Sequence, residues 1–140
     1  MLHPKKYAGA SHIPPIPLSV DAFNAQTWRC SQRYLYAIDL FNHRYWWEAH
    51  EVLEEVWLEA GRRSATGKFI QGLIQIAAAL LKESQSIHKG AHRLAVSGLA
   101  KICLQSGVFL GIDIDALGKQ VEACILHAGT IVPHIELKMD

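Results

Sequence analysis

The most apolar segment of the chain, residues 69–81, constrains the fold more than any other feature of the sequence. It is 13 residues long and carries polar side chains only at Gln71 and Gln75. A helix that crosses a bilayer needs about 20 apolar residues, so this segment predicts a helix buried in a protein core. The consecutive alanines at 77–79 would let neighbouring backbones approach closely. We therefore expect a helix over 68–86 at the centre of the fold.

Apolar residues recur at helical spacing in four further segments, flanked by residues that start or end helices. We predict a first helix from a cap at Ser19 or Asp21 to about Asn42. The other expected helices span 45–60, ended by Gly61; 88–105; and a last segment capped by Asp113 or Asp115 and ended by Gly129. No alternating pattern typical of β-strands reaches a comparable length. The sequence thus predicts an all-α fold, a single helical bundle of about five helices.

The first 18 residues differ from the rest because they carry four prolines. Proline fixes φ and lacks a backbone N–H group, so this stretch disfavours regular structure. We expect an extended N-terminal arm over 1–18 and one helical-bundle domain over 19–140. The start of the chain also lacks the apolar stretch typical of a signal peptide.

The charged residues are nearly balanced, with 14 basic and 13 acidic side chains and a formal net charge of +1. Nucleic acids and anionic membranes attract clustered cations, so we expect neither as a partner. Cys30, Cys103 and Cys124 are odd in number and have apolar neighbours, which predicts core thiols rather than disulfides. Thiols of this kind are typical of a reducing compartment, so we expect a cytoplasmic protein.

The expected helix over 45–60 concentrates the residues that could carry chemistry. It holds four glutamates within eight residues, which repel one another unless a cation, a proton or a hydrogen-bond donor intervenes. On a helical wheel, His50 and Glu54 share one edge, and Glu51 lies towards the other polar side. Imidazole and carboxylate groups four residues apart can bind one ion from a single helix face. His50 and Glu54 therefore form the candidate site for a divalent metal.

A purely structural interpretation also fits this helix. Glu48 can pair with Arg44, four residues before it, and His50 can form a local hydrogen bond with Glu54, while the other carboxylates are solvated. The H-E-x-x-H motif of zinc proteases is incomplete, since Glu54 stands where a second histidine is required. The E-x-x-H spacing of two-metal helical bundles is missing as well, so neither class is supported.

Gln71 and Gln75 interrupt the apolar helix at positions four apart, and buried amides require hydrogen-bond partners. They could bond to the carboxylates of the acidic helix, which we favour, or satisfy each other and nearby backbone. Gly72, between them, predicts close helix packing.

His88 and His92 form a rival pair at the same spacing. Lys89 and Arg93 lie beside them, and nearby positive charge opposes the binding of a cation. We therefore favour a solvated histidine pair at this position.

Several of these segments together resemble a known family. They are Phe41-Asn42, Glu48-Ala49-His50-Glu51-Val52-Leu53-Glu54 with Trp57, Gln71-Gly72-Leu73-Ile74-Gln75, Ala77-Ala78-Ala79 and Gly90-Ala91. Over about residues 34–104 the chain is similar to the domain of unknown function family numbered 309. The resemblance implies an all-helical bundle and a metal-dependent hydrolase. The positions that transfer by motif are Glu48, His50, Glu51, Glu54, Gln71 and Gln75. Lys82 departs from the pattern, because the family often has a histidine there.

The leading hypothesis is a metal-dependent hydrolase acting on a small-molecule substrate. His50 and Glu54 would hold a divalent metal of unspecified identity, and Glu51 would act as the general base. The remaining candidate site residues are Glu48, Gln71, Gln75 and Trp57.

The alternative hypothesis is a non-catalytic interaction or scaffold protein that acts as a homo-oligomer. Trp46, Trp47 and Trp57 would form its contact surface, because aromatic residues are enriched at the cores of interfaces. The acidic groups would then be structural.

Overall fold

The computed structural model describes residues 23–139. Within this range the chain forms α1 Gln32–Asn42, α2 Trp46–Ala60, α3 Ala65–Ser84, α4 His88–Ile102 and α5 Ile114–Val121. A small antiparallel sheet pairs β1 Val108–Phe109 with β2 Ile112–Asp113. The all-α bundle that the sequence predicts is confirmed. The expected arm over 1–18 lies outside the described residues, and the domain boundary after it stays a prediction.

The ends of three helices follow local signals in the sequence. The side chain of Ser64 accepts a hydrogen bond of 2.9 Å from the amide of Gly67 and caps the start of α3. Asp113 caps α5 in the same way, accepting from the amide of Ala116 at 3.1 Å. Gly61 ends α2 with a φ of 90°, in the left-handed region that glycine adopts most easily. The ends at Asp113 and Gly61 were predicted because each depends on neighbouring residues, whereas α3 begins at Ala65, three residues before the expected start.

The predicted start of the first helix is wrong, because α1 begins only at Gln32. Among the residues described from 23 onwards, a 3₁₀ turn, Trp28–Cys30, precedes it. The side chain of Asn24 accepts hydrogen bonds from the amides of Gln26 at 2.8 Å and Thr27 at 3.1 Å. Local bonds of this kind compete with helical bonding, so the chain turns here instead of continuing a helix.

The last helix is also shorter than expected. It ends at Val121 and continues as a π-helical turn, Glu122–Leu126. The amide of His127 donates to the carbonyl of Glu122 at 3.0 Å, five residues earlier. An α-helix through to Gly129, as predicted, therefore does not form.

Helix α3 lies at the centre of the bundle and packs against both α2 and α4, as the sequence predicts. Its contact with α4 depends on two glycines. A Cβ atom at Gly98 would lie 2.8 Å from the carbonyl oxygen of Gly72, and one at Gly72 would lie 2.9 Å from that of Gly98. The predicted packing role of Gly72 is confirmed. None of the described helices is long and apolar enough to span a membrane.

The hairpin β1–β2 is attached to α1 through a buried tyrosine. Its turn residues, Leu110 and Gly111, have φ values of 50° and 77°, as required for a two-residue turn that matches strand twist. The hydroxyl of Tyr34 donates to the carbonyl of Leu110 at 2.7 Å. Burial raises the pKa of Tyr34 well above its ordinary value.

The backbone of the C-terminal segment forms hydrogen bonds with the side chain of Asn42 and with the hairpin. The side-chain amide of Asn42 donates to the carbonyl of Ile135 at 2.8 Å and accepts from its amide at 2.7 Å. Farther along, the amide of Lys138 donates to the carbonyl of Gly111 at 2.7 Å. The segment therefore connects α1 with the hairpin.

All three cysteines are free, but only Cys124 is buried. The prediction of core thiols is wrong for Cys30 and Cys103, which are exposed. The indole of Trp28 takes the core position in the 3₁₀ turn, and Cys103 lies just beyond the last residue of α4.

Candidate metal centre

Helix α2 turns one apolar face to the core and leaves its polar residues at the edges. Its core face is formed by Ala49, Val52, Leu53 and Val56, each no more than 1% exposed. A period of 3.6 residues places His50 and Glu54 outside that face, one turn apart. Their positions therefore follow directly from the helical pattern.

His50, Glu51 and Glu54 converge on one point at the surface of α2. Each offers a ligand atom, and these atoms all lie within 4.8 Å of one another. The Nε2 atom of His50 is 3.8 Å from a carboxylate oxygen of Glu54. His50 and Glu54 are half-buried, whereas Glu51 is exposed. The structure thus brings together the predicted metal pair and the predicted base.

The imidazole of His50 is oriented by an aromatic neighbour. The ring of Trp47 stacks on it, with centroids 5.7 Å apart and an angle of 23° between the planes. The Nδ1 atom of His50 is buried and has no hydrogen-bond partner among the described residues. Nε2 is therefore the nitrogen that faces the carboxylates. Sequence reasoning missed this role of Trp47, although its position three residues before His50 is the spacing of side chains that meet on a helix.

Glu48 does not belong to this cluster. It is 2% exposed and lies on the other edge of the core face, the edge that also carries Glu55. The structural interpretation paired it with Arg44, but Arg44 forms no ion pair with any described residue. Glu55 instead pairs with Arg33 of α1, with nitrogen and oxygen 3.1 Å apart. One acidic edge of α2 is thus directed at α1 and the other carries the candidate ligands.

Trp57 lies on the same edge as Glu54, three residues further along α2. The guanidinium of Arg62 lies over its ring at 5.3 Å from the centroid. The indole Nε1 atom is buried without a hydrogen-bond partner among the described residues. Trp57 therefore lies next to the cluster along α2 but is not one of the converging groups.

The two glutamines of α3 do not bond to the acidic helix. The carbonyl oxygen of Gln75 accepts from the hydroxyl of Ser97 and from Nζ of Lys101, each at 3.0 Å. Both donors belong to α4. Gln71 makes no hydrogen bond to a glutamate of α2 within the part of the chain described. The favoured partner for these amides was wrong, because Gln75 lies on the side of α3 that faces α4.

The rival histidines at the start of α4 are arranged differently. Nδ1 of His88 lies 3.0 Å from a carboxylate oxygen of Glu83, so this histidine is engaged by a residue from the end of α3. Lys82, which departs from the family pattern, lies beside Gly90: a Cβ there would be 3.0 Å from Cδ of the lysine. The three converging groups found in the described residues all come from a single turn of α2.

A family model described as a domain of unknown function (DUF309) matches residues 34–94. The chain resembles DUF309. The DUF309 match contains α1 from Tyr34 onwards, the whole of α2 and α3 and the first half of α4, and so includes the cluster on α2. No curated protein matches the chain.

Proposed function

We propose that the protein binds a divalent transition metal through His50 and Glu54, with Glu51 beside the ion as the general base or as a third ligand. The observation that carries the proposal is the convergence of their ligand atoms within 4.8 Å. One imidazole with two carboxylates suits borderline ions such as Zn²⁺, Mn²⁺ and Fe²⁺. The stacked, half-buried imidazole supports this assignment, because its orientation towards the carboxylates is already set.

We further propose that the bound metal serves hydrolysis of a small-molecule substrate. Three protein groups leave coordination positions open, as in catalytic rather than structural sites. A divalent ion there would supply a Lewis acid. Glu51, the most exposed of the three, would take the proton of the attacking water on its free carboxylate oxygen. The family match over residues 34–94 is compatible with this proposal and leaves the reaction unassigned.

The first experiment is the metal content of tag-free protein by mass spectrometry, followed by calorimetric titration with Zn²⁺ and Mn²⁺. His50→Ala and Glu54→Gln should each lower the affinity by about 100-fold or more, since even supporting residues contribute 10–100-fold. His92→Ala and Glu55→Gln are the matched controls and should bind as the wild type does. Equal binding by His50→Ala and the wild type would refute the proposal.

Glu51→Gln separates the two roles open to Glu51. If this carboxylate is the base, the variant keeps its metal and loses hydrolysis of activated esters or phosphoesters. If it is a ligand, metal affinity falls with the activity. An unchanged rate in a metal-loaded Glu51→Gln variant would remove Glu51 from the chemistry.

A second candidate function is self-association through the same helix edge. Trp47 is 43% exposed and Leu58 is 56% exposed. Spaced 11 residues apart, they flank the acidic cluster along one stripe of α2. Trp46 is not available for this role, because it is 5% exposed and packs edge-on against Phe41.

Light scattering tests the second candidate. A homo-oligomer built on this stripe should dissociate in Trp47→Ala and persist in Val96→Ala, which changes an exposed apolar residue of α4. A monomeric wild type would exclude it. We also propose a cytoplasmic location, which the three free thiols support.

A further inference from the structure

Helices α2 and α4 carry opposite charges. Helix α2 has five glutamates and neither lysine nor arginine. Helix α4 has Lys89, Arg93 and Lys101 and neither aspartate nor glutamate. Both helices pack against α3, and no ion pair among the described residues joins one to the other. Within one chain, therefore, neither helix neutralises the charge of the other.

The exposed side of α2 combines two carboxylates with an indole. Trp47, Glu51 and Glu54 follow at intervals of four and three residues, so they lie on one face of the helix and form the acidic stripe. Trp47 is 43% exposed. Glu51 forms no ion pair within residues 23–139, and Glu54 has His50 as a partner at 3.8 Å. The acidic stripe is thus open to a cationic partner.

The exposed side of α4 has a stripe of the same kind with the opposite charge. Lys89, Arg93 and Val96 follow at intervals of four and three residues and form the basic stripe. All three are exposed, Val96 by 49%. Neither cation has an ion-pair partner in the part of the chain that the structure describes. The basic stripe is thus open to an acidic partner.

The surroundings of the basic stripe do not cancel its charge. Its residues line a shallow depression on α4, to which no carboxylate among the described residues contributes. Glu83, from the end of α3, contacts His88 at 3.0 Å and forms no ion pair with Lys89 or Arg93. This face of the protein therefore favours an acidic surface with an apolar residue beside it.

The two stripes are complementary when they run in opposite directions. In α2 the order is apolar, acidic, acidic; in α4, taken from its C-terminal side, it is apolar, basic, basic. Each stripe spans seven residue positions, which is about 10 Å at 1.5 Å per residue. In an antiparallel packing of the two helices the facing pairs are Trp47 with Val96, Glu51 with Arg93, and Glu54 with Lys89.

We propose that the protein self-associates by packing the acidic stripe of one copy against the basic stripe of another. The proposal rests on the second candidate function, self-association through α2, and names the surface that α2 contacts. A pairing of two acidic stripes would bring like charges together, which opposes association. Each copy carries both stripes, so the contact always joins one of each kind. The Trp47–Val96 pair adds buried apolar area to the ionic contacts.

The test is charge reversal followed by mixing. Lys89→Glu/Arg93→Glu produces a chain with two acidic stripes, and Glu51→Lys/Glu54→Lys produces one with two basic stripes. Each variant alone should self-associate at least about tenfold more weakly than the wild type, because the facing charges repel. An equimolar mixture should assemble again, since each stripe then finds one of opposite charge. Light scattering at low salt follows the assembly, with a chelator present so that no metal occupies the carboxylates.

Two further variants serve as controls. Lys119→Glu/Lys138→Glu changes the net charge equally at exposed lysines outside α4, and it should assemble as the wild type does. Val96→Ala should weaken the contact proposed here, whereas a pairing of two acidic stripes would tolerate it.

Assembly of Lys89→Glu/Arg93→Glu with wild-type affinity would overturn the proposal, and so would a mixture of the two reversed variants that stays monomeric. If Trp47→Ala dissociates an oligomer that the reversal of α4 leaves intact, self-association through α2 stands and only its partner surface is wrong. A monomeric wild type would exclude both.

Discussion

Tyr34 shows how a single buried side chain can link secondary-structure elements that lie far apart in the sequence. It is fully buried, and its hydroxyl donates to the carbonyl of Leu110 in the hairpin turn. Leu110 has a positive φ that leucine seldom adopts. Burial of its side chain and the bond from Tyr34 both stabilise this conformation.

Tyr34→Phe should lower the free energy of unfolding by about 1–3 kcal/mol at neutral pH, because the buried carbonyl of Leu110 loses its partner. Burial raises the pKa of Tyr34 in the folded state, so the folded protein keeps a proton that the unfolded chain releases above about pH 10. The wild type therefore loses stability as the pH rises past that point. Urea unfolding at several pH values should show its advantage over Tyr34→Phe shrinking in alkali. An advantage that stays constant to pH 11 would contradict this account.

Gly111 offers a second prediction at this scale, with Gly107 as its control. Both have positive φ, 77° and 68°, so alanine is strained at either position. A Cβ at Gly111 would also lie 2.5 Å from the indole of Trp28, whereas one at Gly107 would meet nothing within 4 Å. Gly111→Ala should therefore destabilise the protein by about 1–3 kcal/mol more than Gly107→Ala in chemical denaturation. Equal losses would mean that the indole moves aside freely.

At the scale of elements, the crossing of α3 and α4 is set by glycine. Gly72 and Gly98 bring the two backbones together, and the hydrogen bonds from Ser97 and Lys101 to Gln75 lie beside this contact. The amide of Gln75 thus helps to hold two helices together. The carboxylates of α2 therefore do not receive the hydrogen bond that the sequence predicted from Gln75.

Gly98→Ala should destabilise the fold by about 1–3 kcal/mol, because its Cβ would push the helices apart. Gly118→Ala, in α5, is the matched control. Its Cβ would be 3.9 Å from Leu99, an ordinary contact. Alanine should therefore stabilise α5 by about 0.5–1 kcal/mol through its higher helix propensity. Thermal unfolding of the two variants should shift in opposite directions, and a shift in the same direction would refute the packing argument.

At the scale of the whole molecule, the C-terminal segment closes the fold. Asn42 makes two hydrogen bonds to the backbone of Ile135, and Val132 of the same segment lines a cavity beside Trp46 and Leu80. Asn42 is also part of the pattern that resembles the family, and its contacts here are structural.

Asn42→Ala should cost about 1–3 kcal/mol of stability and release the segment around Ile135, since one change removes both hydrogen bonds. Hydrogen exchange at the amide of Ile135 should become faster, while exchange within the central helix α3 should change less. Asn42→Asp keeps the acceptor and loses the donor, so its effect should be intermediate. Unchanged protection of Ile135 in Asn42→Ala would show that other contacts hold the segment.

The sequence by itself determined the features that depend on neighbours in the chain. The helical spacing of apolar residues predicted α2, α3 and α4, and the local signals at Asp113 and Gly61 marked where one helix begins and another ends. The same spacing placed His50 and Glu54 on one edge of α2. These inferences succeed because a helix has a fixed period and because its ends are satisfied locally.

Only the tertiary structure decided which groups meet across the fold. It directed Gln75 to α4, placed the hairpin turn of Leu110 on Tyr34 and left Cys30 at the surface. No local pattern encodes these contacts, because they depend on how helices rotate and pack against one another. The candidate metal ligands were predictable because they lie about one helical turn apart, whereas the contacts of Gln75 and Tyr34 join distant parts of the chain and were not.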